Sequence, residues 1–454
     1  MIRRLAFQAK LATVGRSSRA MLDRFRENDR MDPDALALAT ARRAVDHARF
    51  AMTHSAFYRD LYSSAGFSAT DLEDPAAFGS LPIIEKSALR EHFDDIRTDE
   101  ADERTSAVSK TGGSTGLPLH ILRDERFPAR ALEWRLFDWW RVDPWDDRGV
   151  ITRHMLGGAA KLRHDLQWLP SRRVELDAFR ITDDAVTEFV RRWNRLRPRF
   201  LLGYGGGVLD LARRLERLGL DFAAPDAIAV TAAPLTPGVR AEIESRLGAP
   251  CHDHYRSAEV PWIAGECTAH AGMHVFSDVR RVEIVDADDR PVPADVEGEV
   301  VVSDLTNRVF PIIRYRLGDV SALRSGACEC GRPHPRLGAI SGRASDAVRL
   351  PDGTTIAGAL GHIFDSAPLS VRQFEIVQDA DYSVTLRCIP GDLSEASVAD
   401  GIRAGETLLR HATRGLVPVT VERVDEIPQV GGKMRFIRSA VPVPASSVPD
   451  GGAV

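Results

Sequence analysis

The chain has 454 residues, of which 44% are hydrophobic, and a formal net charge of −5. This length exceeds what one hydrophobic core usually supports, so we expect at least two domains. The acidic balance excludes a typical nucleic-acid-binding protein, and the absence of a long apolar run or secretory signal predicts a cytoplasmic protein without a transmembrane segment.

The first 30 residues carry eight lysines and arginines against three acidic residues. This composition predicts a basic, solvated helical extension, with a membrane-surface helix as the alternative. Apolar periodicity then predicts a helix over residues 33–62 and another over Glu85–His92.

A glycine-rich segment follows the apparent strand at Ala107 and Val108. The segment Thr111–Pro118 reads TGGSTGLP, and such a loop can wrap backbone N–H groups and hydroxyls around a polyphosphate. No lysine follows Gly116, so the pattern lacks the charge clamp of a P-loop. A plain surface turn remains the alternative.

A second glycine cluster, GYGGG, separates a predicted strand at Arg199–Leu202 from a predicted helix at Val208–Leu218. A dinucleotide-binding fingerprint would need a third glycine where Val208 stands. The pattern therefore predicts a turn that shapes one wall of a substrate pocket.

The remaining elements alternate between strands and helices. Strands are predicted at Ala227–Thr231, Val279–Val285, Glu297–Ser303, Val371–Gln378 and Tyr382–Cys388, and helices at Thr236–Leu247 and Ala396–Thr413. The fold class is therefore α/β, with a large N-terminal domain of mixed sheets and helices and a small α+β domain after it. The tail from residue 441 is rich in Pro, Ser and Gly and is predicted to be disordered.

Several side chains have the chemistry of a nucleotide site. Tyr255 offers a ring that can stack on a purine, and Glu259 offers a carboxylate for Mg²⁺. The small residues Ala232, Ala233 and Pro234 follow a strand, where a flat base can lie against backbone. Asp319 can accept hydrogen bonds from ribose hydroxyls, and Arg343 can reach the sugar or the phosphates.

Cysteine spacing predicts a structural zinc site. Cys328 and Cys330 form a tight pair, and Cys267 with His274 would complete a tetrahedron. His270 is the competing fourth ligand, and ordinary buried cysteines are the alternative to any metal.

The motifs TGGSTGLP, YRSAE, YRLGD, SGR and GGK follow one another in the order seen in the adenylate-forming enzymes. Within that superfamily the chain most resembles the phenylacetate-CoA ligase and capsule-biosynthesis branch. The stretches SDLTNRVFPIIRYRLGD and CECGRPHPRLGAISGR carry that likeness, which covers about residues 80–440.

The resemblance implies a role for each motif. The residues implied in binding ATP or AMP are Thr111, Gly112, Gly113, Ser114, Thr115, Gly116, Ala232, Ala233, Pro234, Tyr255, Arg256, Ser257, Asp319 and Arg343. Glu259 would bind Mg²⁺, Lys433 would bridge the substrate carboxylate and the α-phosphate, and Asp346 would be the hinge of a mobile C-terminal domain. The likeness also favours His274 over His270 as the metal ligand.

The implied domains are an extension at 1–30, a large ATP- and acid-binding domain at 31–343, a small domain at 344–440 and a tail at 441–454. The implied activity is that of an AMP-forming acid–thiol ligase that uses ATP, Mg²⁺ and coenzyme A on an aryl or arylacetic acid. The alternatives are transfer of the acyl group to a nitrogen nucleophile and a catalytically silent scaffold, and a homodimer stays open. Arg256 departs from the family pattern, in which a glycine usually follows the tyrosine.

Overall fold

A computed structural model gives the fold. It describes residues 2–13, 15–110, 119–153, 155–343, 347–356, 360, 363–364, 367, 369–391, 393–427 and 436–442. The chain divides into two compact units, whose described residues fall within 2–340 and 341–442.

The helices contain several of the capping residues that sequence rules favour. Asp32 accepts hydrogen bonds from the backbone N–H groups of Asp34 and Ala35, and Thr236 accepts one from Val239. In chain order the helices are α1 Ile2–Thr13, α2 Arg16–Asn28, α3 Pro33–His54, α4 Ala56–Ser64, α5 Lys86–Glu91, α6 Phe93–Ile96, α7 Arg130–Trp139, α8 Gly158–Trp168, α9 Asp183–Leu196, α10 Gly205–Leu218, α11 Pro237–Leu247 and α12 Glu395–Ala412, with 3₁₀ turns at Asp71–Glu73 and Pro75–Ser80.

The strands are mostly short and lie in several sheets. They are β1 Ser106–Lys110, β2 His120–Asp124, β3 Arg148–Thr152, β4 Arg173–Asp177, β5 Phe200–Tyr204, β6 Ala227–Thr231, β7 Cys251–Tyr255, β8 Ala264–Glu266, β9 Met273–Val275, β10 Arg280–Val285, β11 Gly298–Asp304, β12 Ile312–Ser321, β13 Leu323–Arg324, β14 Arg336–Leu337, β15 Gly342–Arg343, β16 Val348–Arg349, β17 Thr355–Ile356, β18 Val371–Gln378, β19 Val384–Pro390, β20 Val419–Arg423 and β21 Ile437–Ser439.

The N-terminal extension packs against the large unit. Phe7, Leu11, Leu22 and Phe25 are buried in one hydrophobic cluster with residues of α7. The expectation of a solvated extension is therefore wrong for this inner face, because apolar residues at helical spacing gain more from burial than from exposure. Some of its basic residues also contact the rest of the unit, because Arg3 lies 2.9 Å from Asp147 and Arg26 lies 2.6 Å from Asp138.

A nine-stranded sheet organises the large unit, in the order β13-β14-β9-β8-β7-β6-β5-β3-β4. The strands from β4 to β7 run parallel, and those from β8 to β13 continue the sheet antiparallel. Residues of α9, α10 and α11 share a hydrophobic core with one face of the parallel strands, and residues of α7 share a core with the other face. This is the α/β arrangement predicted from the alternation of elements.

The GYGGG segment differs from its prediction. Gly205 and Gly207 lie inside α10, which begins directly after β5. A Cβ atom on Gly207 would meet Ile151 at 3.0 Å, and one on Gly203 would meet Ile151 at 2.9 Å. The glycines therefore allow helix α10 and strand β3 to approach closely, where sequence reasoning expected a turn.

A second sheet in the large unit carries one of the predicted site residues. Strands β10, β11 and β12 pair in antiparallel order, with bulges between β11 and β12. Buried ion pairs tie this region together, between Arg280 and Asp304 at 2.6 Å and between Arg314 and Glu283 at 3.3 Å. Asp319 lies on β12.

The C-terminal unit is small and of the α+β type. Its sheet has the order β20-β19-β18-β21, and α12 buries Val398, Ile402 and Leu409 in the same hydrophobic core. Val441, which the sequence assigns to the tail, is buried, and residues 443–454 lie outside the described part of the chain. Among the described helices of both units, none has the length and apolar character needed to cross a bilayer.

Candidate active site

Four parallel strands end at the same edge of the nine-stranded sheet. Strands β3, β5, β6 and β7 end at Thr152, Tyr204, Thr231 and Tyr255. Tyr204 is in register with Thr231, and the Thr231 hydroxyl donates a 2.8 Å hydrogen bond to the carbonyl of His254. Ligands of open parallel sheets bind outside the carboxyl ends of the strands, so this carboxyl edge is the candidate site.

Tyr255 and Asp319 meet at this edge. The Tyr255 hydroxyl donates a hydrogen bond of 2.5 Å to Oδ2 of Asp319, although the two residues are 64 positions apart. Tyr255 is buried and Asp319 is half-buried. Because a carboxylate has about four acceptor positions, Asp319 can hold this contact and still accept from a sugar hydroxyl. The structure thus brings together two residues predicted to contact one nucleotide.

Ala232, Ala233 and Pro234 follow β6 at the same edge. Ala232 adopts a left-handed backbone conformation with φ of 64°. The Cβ of Ala233 would lie 3.4 Å from a Cβ added to Gly205. The turn therefore packs against the start of α10, and its small side chains leave a flat surface there.

Glu259 has a cationic neighbour that sequence reasoning missed. Its Oε1 atom lies 3.5 Å from Nζ of Lys86, the first residue of α5, and the Glu259 side chain is buried. Mg²⁺ bound to this carboxylate would sit beside the ammonium, so either the lysine moves aside or it contacts the phosphates that the ion accompanies.

Arg256 stacks on an aromatic ring. Its guanidinium carbon lies 4.6 Å from the centroid of Trp262, and that ring stacks in turn on His254 at 5.3 Å. Ser257 closes the turn that carries Glu259, because its hydroxyl accepts a 2.8 Å hydrogen bond from the Val260 backbone. The arginine that departs from the family pattern is therefore held beside the edge by cation–π contact.

The predicted metal ligands lie together. One ligand atom from each of Cys267, His274, Cys328 and Cys330 falls within 4.8 Å of all the others. The Sγ atoms of Cys267 and Cys328 are 3.8 Å apart, and Sγ of Cys330 is 3.2 Å from Nε2 of His274. A tetrahedral zinc site with Zn–S bonds of about 2.3 Å has S···S edges of about 3.8 Å and S···N edges of about 3.6 Å, so these residues fit the ion.

His274 has the protonation state that a metal ligand needs. Burial lowers its pKa to about 4, so the ring is neutral at pH 7. Its Nδ1 atom lies 3.2 Å from the carbonyl of His334. A proton on Nδ1 would make that hydrogen bond and leave the Nε2 lone pair for an ion.

His270 lies elsewhere, in a second cluster with His252 and Glu266. The rings of His252 and His270 stack 4.7 Å apart at an angle of 8°. Nitrogen lone pairs lie in the ring plane, so two parallel stacked rings cannot direct them at one ion. Arg240 also donates two hydrogen bonds to Glu266, at 2.7 and 2.9 Å. This cluster is an ion-pair network, and His274 is the histidine that lies with the thiols.

The N-terminal extension reaches the surroundings of the metal cluster. Asp29 lies at the end of α2, and its carboxylate contacts the buried Arg135 and, at 3.1 Å, Nε2 of His334. Burial acts to raise the pKa of Asp29, but the contacts with His334 and Arg135 hold that pKa well below its usual range. Asp29 and His334 were not singled out from the sequence.

No family model matches the chain. Among curated proteins, the phenylacetate-coenzyme A ligase of Thermus thermophilus is 30% identical over 36% of the chain and 36% of its own length. The enzyme of the same name from Aromatoleum evansii is 27% identical over 76% of the chain and 78% of its own length.

A solved structure extends the likeness to both units. The 2-hydroxyisobutyryl-CoA ligase in its postadenylation state matches with a TM-score of 0.71 and 20% identity, over 91% of each chain. The chain is similar to the phenylacetate-CoA ligase branch of the adenylate-forming superfamily. The predicted superfamily and fold class are confirmed.

Some predicted site residues lie outside the described part of the chain. The loop Thr111–Pro118 joins β1 and β2, which pair from Ser106 with Asp124 to Lys110 with His120, but the loop itself lies outside the described residues. Asp346 and Lys433 also lie outside them. Arg343 belongs to β15, and its side chain is not described.

The residues that sequence reasoning missed share one property. Each contacts a predicted site residue in the folded chain: Lys86 contacts Glu259, Trp262 contacts Arg256, and His334 contacts His274. A lysine at a predicted helix start was a visible signal for Lys86, but nothing near it pointed to Glu259. Their roles depend on the sheet edge and the metal cluster, which form only in the folded chain.

Proposed function

We propose that this protein activates a carboxylic acid with MgATP, giving an acyl-adenylate and pyrophosphate, and then transfers the acyl group to the thiol of coenzyme A with release of AMP. The contact between Tyr255 and Asp319 at the carboxyl edge carries the proposal. In this proposal Tyr255 would contact the purine and Asp319 would bind the ribose of one nucleotide, with Glu259 on the following turn. The curated relatives named phenylacetate-coenzyme A ligase support it.

The first step, formation of the acyl-adenylate, depends mainly on neutralisation of negative charge and needs no covalent intermediate with the protein. A carboxylate and the α-phosphate are both anionic, and their pentacovalent transition state accumulates further negative charge. Lys433 would lie between these groups, while Glu259 would hold Mg²⁺ beside the phosphates. The loop Thr111–Gly116 would cover the phosphates, and Arg343 would assist at the ribose.

The second step needs the acceptor to reach the adenylate. In this proposal the C-terminal unit turns about Asp346 between the two steps, so that Lys433 leaves and the thiol enters. The names of the curated relatives favour an aryl or arylacetic acid as the substrate.

The metal cluster has a separate role in this proposal. Cys267, His274, Cys328 and Cys330 would hold a structural Zn²⁺, because four protein ligands leave no open position for chemistry. The cytoplasmic location and the homodimer remain predictions.

Transfer to a nitrogen nucleophile is the second candidate, and Arg256 favours it. This exposed arginine, stacked on Trp262, stands where relatives usually have glycine and changes the surface beside the acyl group. A catalytically silent scaffold is the least favoured alternative.

Product analysis separates these candidates. The purified protein is incubated with MgATP and a panel of carboxylic acids, with either coenzyme A or amines, and products are identified by mass spectrometry alongside pyrophosphate release. Acyl-CoA formation is expected. Amide products without acyl-CoA would replace the proposal with the second candidate. No pyrophosphate release, and no thermal shift with MgATP plus acid, would favour the scaffold.

A further inference from the structure

Arg153 lies at the carboxyl edge, directly after β3. Its guanidinium carbon is 4.4 Å from the ring centroid of Tyr204, the last residue of β5, and 5.5 Å from that of Phe179. Strands β3 and β5 are neighbours in register up to Ile151 and Gly203. The arginine is therefore held at the same edge as Tyr255 and the turn after β6.

Arg153 differs from Arg148 and Arg135 in its partners. Its Nε and Nη2 atoms are both buried without a hydrogen-bond partner. Arg148, on the same strand, contacts Glu133 and the carbonyl of Pro144. The buried Arg135 pairs with Asp29 and Asp278. Among the described residues, Arg153 is the arginine with two such unpaired nitrogens.

Arg153 is half-buried, and burying Nε and Nη2 without acceptors is unfavourable, because arginine cannot escape the cost by losing its proton. Stacking on Tyr204 covers one face of the guanidinium plane but leaves Nε and Nη2 without acceptors. A planar carboxylate matches these donors in a bidentate geometry. The arrangement is complete only when an anionic group lies in the plane of the guanidinium.

We propose that Arg153 binds a second anionic group on the acid substrate, so that the protein selects acids with an additional carboxylate remote from the reacting one. This inference rests on the proposed function, because it assigns Arg153 to the acyl end of the same site. Tyr204 acts as a positioning residue, since it holds the guanidinium plane.

The sheet sets the distance between the two ends of the site. Neighbouring strands are about 4.8 Å apart, so the three intervals from β7 to β3 separate their ends by about 14 Å. The nucleotide base would lie at the β6 and β7 ends and Arg153 at the β3 end. An acyl group with a ring or a short chain between its two carboxylates fits the remaining span.

The test compares two acids of the same shape. Pyrophosphate release is measured with 4-carboxyphenylacetate and with 4-methylphenylacetate, for the wild type and Arg153→Met. We expect the substitution to raise the KM for the dicarboxylate on the order of 10- to 100-fold, the range of a lost charge-assisted hydrogen bond. The KM for the methyl compound should stay the same or fall.

A matched control removes an arginine–aromatic stack from the opposite edge of the sheet. Arg173 begins β4 and lies 4.0 Å from the ring centroid of Trp168. Arg173→Met should leave the ratio of the two KM values unchanged. If Arg153→Met does not fold, Arg153→Lys keeps the charge but loses the planar fork, and a smaller loss of dicarboxylate preference is expected.

The ratio of the KM for 4-carboxyphenylacetate to the KM for 4-methylphenylacetate decides the role of Arg153. An equal ratio in the wild type and Arg153→Met would overturn that role while leaving the proposed function intact. If no acid releases pyrophosphate in the wild type, the proposed function fails, and isothermal titration of the two acids then decides the binding claim alone. Weaker binding of 4-carboxyphenylacetate to Arg153→Met would support it, and equal binding, including no binding to either protein, would refute it.

Discussion

The metal cluster and the carboxyl edge are both built from distant parts of the chain, but they differ in how complete they are. The four zinc-type ligands lie within 4.8 Å of one another in the fold itself. At the edge, Tyr255 contacts Asp319, while the loop and the lysine predicted to complete the site, Thr111–Gly116 and Lys433, lie outside the described residues. A structural site can be assembled once, whereas a two-step ligase has to rearrange its site during turnover.

Lys433→Ala should cause the largest loss of activity, and it should leave the metal cluster unchanged. Loss of one preorganised charge at the reacting phosphate typically reduces the rate on the order of 100- to 1,000-fold. We expect that reduction in acid-dependent pyrophosphate release, with an unchanged thermal melt and zinc content. Lys161→Ala, on exposed helix α8, is the control. Adenylation at the wild-type rate would remove Lys433 from the site.

Removing a metal ligand should lower the metal content and the stability of the protein. Cys330→Ala is expected to abolish zinc binding and lower the Tm on the order of 10 °C, because a structural metal contributes directly to folding. Zinc per chain is measured by elemental analysis and Tm by calorimetry. Cys388→Ala, which removes a buried thiol far from the cluster in sequence, should keep the metal. Equal zinc content in the two variants would argue against the assigned ligands.

A double-mutant cycle on Tyr255 and Asp319 sharpens the comparison within the edge. Tyr255→Phe should raise the KM for ATP about 5-fold and Asp319→Ala about 10- to 100-fold, since a hydrogen bond to a charged group is worth about 1.5–3 kcal/mol. The double variant should show less than the product of the two effects. Strictly multiplicative effects would mean that the observed contact does not contribute to nucleotide binding.

Acid should destabilise the region behind the edge. Burial lowers the pKa of His254 to about 3 and that of His252 to about 3 as well, below the unfolded value of about 6.5. A depressed folded pKa means that the stability present above pH 6.5 is lost as the pH falls toward 3. Each histidine contributes a slope of about 1.4 kcal/mol per pH unit in that window.

The measurement is urea unfolding at pH 7 and pH 5 for the wild type and His254→Phe. The variant should lose part of the pH dependence, because one buried titrating ring has been replaced by an aromatic ring that cannot ionise. An identical difference between the two pH values in both proteins would show that His254 does not titrate in this range.

Local sequence patterns predicted the boundaries of some elements, although the helix expected over residues 33–62 is two helices, α3 and α4, separated at Ser55. Strand β6 at Ala227–Thr231 and strand β18 at Val371–Gln378 match their predictions residue for residue. Helix α11 begins one residue after its predicted start at Thr236, which is its N-cap. These features depend on alternation, capping and turn residues that act over a few positions, so the chain alone reveals them. The motif order likewise identified the superfamily.

The tertiary structure decided which side chains meet. Proximity to the three thiols distinguishes His274 from His270, although both lie close to Cys267 in the sequence. The packing of strands β7 and β12 brings Tyr255 to Asp319. The glycines that were predicted to form a turn lie in the first turn of α10. The unpaired state of Arg153 also appears only in the fold. Each of these outcomes depends on contacts between residues far apart in the chain, and no local pattern encodes them.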